Sequence, residues 1–127
     1  MIQAYFNQVK AIVDQYAATR FVLDANVGFE IRPGGQGYLT GSIIFADGSA
    51  LYFREFLDAV KDTVDKLMYT YHYQDAGHQL IFRYDNARHR PPLRSLEHKH
   101  TLGQVIEAPA PTLEEVLAEI VVAKGWV

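Results

Sequence analysis

The chain has 127 residues, 49% of them hydrophobic and 13% aromatic, with a formal net charge of −3 and no cysteine. That composition excludes a disordered chain, disulfide bracing, thiol catalysis and cysteine-ligated zinc, and its length suits one domain spanning 1–127. The apolar runs are too short to cross a bilayer, and the opening MIQAYFNQVK lacks the order of a secretory signal, so a soluble cytoplasmic protein with no membrane partner is expected.

Residues 2–18 carry Ile2, Tyr5, Phe6, Val9, Ile12, Val13 and Tyr16 at three- and four-residue spacing, the stripe of an amphipathic helix. From Phe21 the period falls to two. Ala25, Val27, Phe29 and Ile31 alternate with Asn26, Gly28, Glu30 and Arg32, which predicts a half-buried strand. The run RPGGQG then forces a turn. Leu39, Gly41, Ile43 and Phe45 mark a second strand, and Asp47–Gly48 is a hairpin signal. A third strand runs through Leu51–Phe56, with a register that depends on the length of the turn before it. After a polar connection near Val60–Asp65, KLMYTYHYQ places Tyr69, Tyr71 and Tyr73 on one face and Met68, Thr70, His72 and Gln74 on the other.

Leu80, Phe82 and Tyr84 alternate with Ile81, Arg83 and Asp85 in a fifth strand. A two-residue turn at Ala76–Gly77 would set Tyr71 opposite Phe82 and Tyr69 opposite Tyr84. His72, Thr70, Arg83 and Asp85 would then share the opposite face. Residues 86–111 read as an irregular loop around Pro91–Pro92. Thr112-Leu-Glu-Glu115 is a capping box that opens a last helix with Leu113, Val116, Leu117, Ile120 and Val121 as its stripe, and Gly125 stops it. The expected fold is α+β: an antiparallel five-stranded meander with the N- and C-terminal helices packed on one face.

Charge is unevenly spread. Phe82–His100 holds Arg83, Arg88, Arg90, Arg94 and Lys99 against Asp85 and Glu97, a local net of +3 that leaves −6 for the rest of the chain. It also holds His89, His98 and His100, three of five histidines. On the adjoining strands, His72, Arg83 and Asp85 form a first constellation, with Arg54 or Glu55 beside them. An imidazole exchanges protons near neutrality, a guanidinium steadies phosphate charge, and a carboxylate orients either. The same Arg–Asp pair is also what an ordinary surface ion pair looks like.

His98-Lys99-His100 is a second constellation. Histidines two apart on an extended segment point the same way and bind metal when a third ligand arrives, from His89, His72 or Asp85. Lys99 between them repels a cation, so a metal-free pair is the expectation and no cofactor is assigned. The third constellation is the basic loop: Arg88, Arg90, Arg94 and Lys99, with Tyr84, Tyr73 and Asn86 nearby, combine cations and rings in the manner of single-stranded RNA binders. A solvated loop, or a dock for an acidic protein, has the same composition. The tyrosine stripe itself reads as sheet core, and Trp126 as a packing anchor.

FADGSALYFREF, YTYHYQDAGHQLIFRYDNARH and EHKH together resemble the TumE family of toxins from prokaryotic toxin–antitoxin systems. The resemblance covers nearly the whole chain and rests on Arg54, Glu55, His72, Tyr73, Arg83, Tyr84, Asp85, Asn86, His89, His98 and His100. Two departures stand out. Arg88-His89-Arg90 replaces a Pro-His-His often found in the family, and Glu97 replaces a further histidine. The resemblance implies a toxin with a cognate antitoxin, itself a DNA-binding protein.

These readings combine into an RNA-directed toxin working as a metal-independent ribonuclease. His72 and His89 would be acid and base, Arg83 and Arg54 would hold phosphate, and Asp85 would orient a histidine. His98 and His100 stand as a secondary pair. The alternatives are a non-catalytic module whose basic loop docks an acidic antitoxin, and a zinc hydrolase built on His89, His98 and His100. Edge strands of a small sheet also allow a homodimer.

Overall fold

The computed structural model describes residues 1–87 and 97–127. Helix α1 (Ile2–Ala17) leads into strands β1 (Val22–Arg32), β2 (Gln36–Phe45), β3 (Ala50–Val60), β4 (Thr63–Gln74) and β5 (Leu80–Asp85). Strands β6 (His98–Thr101) and β7 (Gln104–Glu107) follow, then helix α2 (Leu113–Lys124). Among the described residues, seven strands form one antiparallel sheet in the order β1 to β7. The class is the expected α+β, but the sheet has seven strands and not five.

The two additional strands come from the stretch read as irregular. His98–Thr101 and Gln104–Glu107 are four residues each and largely polar, so neither carries a hydrophobic alternation. Their pairing is made by Gly103, whose φ of 77° closes the hairpin at no steric cost. The polar connection near Val60–Asp65 is likewise a tight hairpin: Val60 pairs with Thr63 around Lys61–Asp62, with Lys61 left-handed at φ 54°.

Both helices bury their stripes on one side of the sheet. Phe6, Val9 and Val13 of α1 and Leu113, Val116, Leu117 and Ile120 of α2 join Leu39, Ile43, Phe53, Leu57, Tyr69, Tyr71, Tyr73 and Phe82 in a single core. Each fully buried aliphatic side chain there contributes about 1.5–3 kcal/mol. Two glycines of β2 make the contact close. A Cβ at Gly37 would stand 2.8 Å from the Phe6 ring, and one at Gly41 would stand 2.4 Å from the Phe53 ring. Thr112 caps α2 as read: its Oγ accepts from Glu115 N at 3.1 Å, while Glu115 Oε1 accepts from Thr112 N at 2.9 Å. Trp126 stacks on Phe21 and Phe45, an anchor for the end of the chain.

Two bulges decide what each face presents. Between β3 and β4 the pairing passes from Phe56–Met68 to Leu57–Lys66, so Leu67 is the extra residue. The slip carries Lys66 to the helix side. Between β4 and β5 it passes from Tyr73–Phe82 to Gln74–Leu80, with Ile81 extra. This corrects the expected register: Tyr71 faces Tyr84 and Tyr73 faces Phe82, because Asp75–Gln79 makes a longer turn held by Asp75 Oδ1. Leu80 stands opposite Gln74, away from the tyrosines, and Ile81 packs on the core in its place.

Candidate functional site: a histidine and arginine cluster on the open face of the sheet

Side chains alternate across a pleated strand, so directly paired residues share a face. At one level of the sheet Asn26, Ser42, Tyr52, His72, Arg83 and His100 stand opposite one another in turn. At the next level come Gly28, Thr40, Arg54, Thr70, Asp85 and His98. Both rows lie on the face away from the helices. The side chains of His72, Arg83, Asp85 and Arg54 are therefore brought to one side, and the added strand β6 delivers His98 and His100 to the same place.

Asp85 is the hub. Its side chain is buried at the end of β5, and its two oxygens are divided. Oδ1 accepts from Ala87 N at 3.1 Å and lies 2.5 Å from His98 Nε2. Oδ2 accepts from Arg83 Nε at 2.9 Å and lies 3.7 Å from His100 Nε2. A buried carboxylate is costly unless paired, and this one is held by a guanidinium, a backbone N–H and imidazole. His98 is fully buried, and its ring meets that of His100 edge-on at 4.8 Å between centroids. Arg83 and His100 keep part of their side chains in solvent. His72 is half-buried, with Nε2 3.1 Å from Gln74 Oε1. The result is a buried pair, Asp85 and His98, in the row beside the part-exposed His72, Arg83 and His100.

Arg54 is exposed on β3 and has no carboxylate partner among the described residues. Glu55, the other residue considered beside it, points the opposite way and is fully buried under the helices. Asn86 braces the end of β5: its Oδ1 accepts from Tyr69 N at 3.2 Å and its Nδ2 donates to Leu67 O at 3.0 Å, across the bulge. Lys99 and Tyr84 lie on the helix side, paired with each other across β5 and β6, and both bond Glu119 of α2. Tyr73 is buried in the core. The rings imagined beside the basic loop are thus turned inward. Arg88, His89, Arg90 and Arg94 lie outside the described residues.

Asp85, His98 and His100 could also hold a metal ion, since one ligand atom from each lies within 4.8 Å of the others. Two imidazoles and a carboxylate suit zinc. The Arg83 guanidinium on the same carboxylate opposes a further positive charge there.

His98 and His100, read as a secondary pair, both stand beside Asp85. The signal was present, since His98 and His100 are two apart and a strand would aim both at one face. Without a visible strand nothing chose Asp85 over His89 or His72 as the group they would face. Lys66 was missed altogether. It donates to Tyr71 OH at 2.7 Å and to Pro111 O at 2.5 Å on the helix side, where only the Leu67 bulge could put it.

No helix among the described residues is long and apolar enough to cross a membrane. No curated protein and no solved structure matches the chain significantly. The profile of the family described as toxin TumE matches residues 10–123, nine-tenths of the chain from within the first helix to the end of the last. By that match the chain belongs to the TumE family of toxins.

Proposed function

We propose that the protein is the toxin of a toxin–antitoxin pair and cleaves RNA by acid–base chemistry at the row His72, Arg83, His100. The observation that carries this reading is the register: an arginine stands between two accessible histidines on three neighbouring strands. Strands are about 4.8 Å apart, so a phosphate held on the central guanidinium has an imidazole on either side. His72 takes the proton of the ribose 2′-hydroxyl as its oxygen attacks phosphorus. His100 gives a proton to the departing 5′-oxygen. The bond to that oxygen breaks, leaving a 2′,3′-cyclic phosphate and a 5′-hydroxyl, with one proton taken and one given. Arg83 steadies the charge that builds on the phosphate, and Asp85 holds Arg83 in place. Arg54, on the next row, is a further phosphate contact.

The experiment is cleavage of end-labelled RNAs by the purified protein, with and without a chelator. The reading expects cutting that persists in chelator and falls about 100-fold or more in His72→Ala and His100→Ala. Loss of cutting in chelator would replace it with metal-dependent chemistry at Asp85, His98 and His100. No cutting across varied RNAs would favour the binding-module reading, in which the cationic stretch after β5 docks an acidic antitoxin.

A further inference from the structure

We infer that the open face of the sheet beyond the candidate site is a track for single-stranded RNA, with a base stacked on Tyr52 and backbone phosphate on Arg54. The inference rests on the RNA reading above and names the form of RNA that the site would receive. Tyr52 occupies the same row as His72, Arg83 and His100, one strand beyond His72, and its ring is 44% exposed on a sheet face. Arg54, two residues along β3 on the same face, is exposed and unpaired by any described carboxylate. Two residues further, Phe56 continues the alternation of ring, guanidinium, ring. It stands opposite Tyr38 on β2, and Arg32 lies over both rings at 5.5 and 5.4 Å from their centroids.

An aromatic ring laid on a flat sheet offers its face, which any unpaired base can stack on, while guanidinium groups between rings meet the phosphates. A duplex keeps its bases stacked inside and cannot use the rings. Ser42 and Asn26, joined by a 3.1 Å hydrogen bond, and Thr40 prolong the rows with uncharged polar groups that accept ribose and base edges. Glu30, opposite Tyr38, is taken up by Arg32 at 3.3 Å, and Asp58 and Asp65 stand opposite each other beyond Phe56, at the end of the face away from the site. The face is thus cationic and aromatic where it adjoins the site, although the chain as a whole is acidic.

The test is fluorescence anisotropy with a 2′-O-methyl oligonucleotide, which lacks the attacking hydroxyl and so reports binding without cutting. The single strand and its duplex are titrated at two salt concentrations. The single strand should bind at least about tenfold more tightly than the duplex. Tyr52→Leu should weaken it about tenfold and Tyr52→Phe should leave it unchanged, since only the ring matters. Arg54→Gln should weaken all sequences alike and flatten the salt dependence. Equal binding of duplex, or a Tyr52→Leu protein that binds like wild type, would overturn the track while leaving cleavage at His72, Arg83 and His100 standing. Failure to bind any RNA, together with failure to cut it, would remove both.

Discussion

Two carboxylates are buried on opposite faces of the same sheet, and their company differs. Glu55, beneath the helices, is fully buried and accepts from the hydroxyls of Tyr5 and Tyr71, while Lys66 donates to Tyr71. Asp85, on the open side, is held by Arg83, Ala87 N and two histidines, one of them reaching solvent. The first set is made of two phenols and a lysine on the helix side of the sheet. Burial, and then the Glu55 charge, push the Tyr5 and Tyr71 phenols far above their ordinary range, and burial draws Lys66 down. The second set contains two imidazoles whose ring nitrogens meet the carboxylate beside a guanidinium. Glu55 ties the first helix to the sheet through Tyr5, whereas Asp85 gathers two imidazoles and a guanidinium at a rim that solvent reaches, the arrangement the proposed cleavage uses.

The comparison is broken most severely at Glu55. Glu55→Ala removes the acceptor of two phenols and the carboxylate charge near the half-buried Lys66, so a loss of about 3–5 kcal/mol is expected. Denaturant unfolding would measure it, and a loss under 1 kcal/mol would deny Glu55 its structural role. Asp85→Asn should cost less, about 1–3 kcal/mol, and leave a folded protein. Yet it should abolish growth inhibition when expressed without antitoxin, because Arg83 and the histidines lose their anchor. A folded Asp85→Asn protein of full toxicity would place the chemistry elsewhere.

Alkaline pH sharpens the contrast further. The folded-state pKa values of Tyr5 and Tyr71 lie above the ordinary 10.0, so the stability they confer is complete below pH 10 and is lost as pH rises beyond it. Stability should therefore fall steeply above about pH 10, with these phenols ionising only as the chain unfolds. A phenolate signal near pH 10 in the folded protein that disappears in Tyr5→Phe or Tyr71→Phe would contradict the network. The smallest effect belongs to neither face. Lys10→Ala breaks an exposed i,i+4 pair with Asp14 on α1 and should cost about 0.5 kcal/mol or less by thermal unfolding.

The faces of β4 and β5 were legible from alternation alone. Tyr71, Tyr73, Phe82 and Tyr84 fall to one side and His72, Thr70, Arg83 and Asp85 to the other, and a register error of two residues leaves those sides unchanged. The capping box and both helical stripes were legible for a similar reason: they are local, and their periods are set by neighbours in sequence. The hairpin of β6 and β7 was not, since HKHT and QVIE carry too little apolar pattern to signal a strand. The bulges at Leu67 and Ile81 were also hidden, and with them the turning of Lys66 inward and Leu80 outward.

Residue order by itself determined which groups could act together: the histidines, the arginines and Asp85 lie within short reach of one another along the chain, on alternating positions. Only the tertiary structure decided which of them do. Lys99 and Tyr84, suited by composition to the site, face α2 because they are paired on the helix side, and His98 and His100 face Asp85 because β6 pairs with β5 in that register. Strand pairing is a long-range choice, made by hydrogen bonds and packing between segments distant in sequence, and it assigns each side chain to one face or the other.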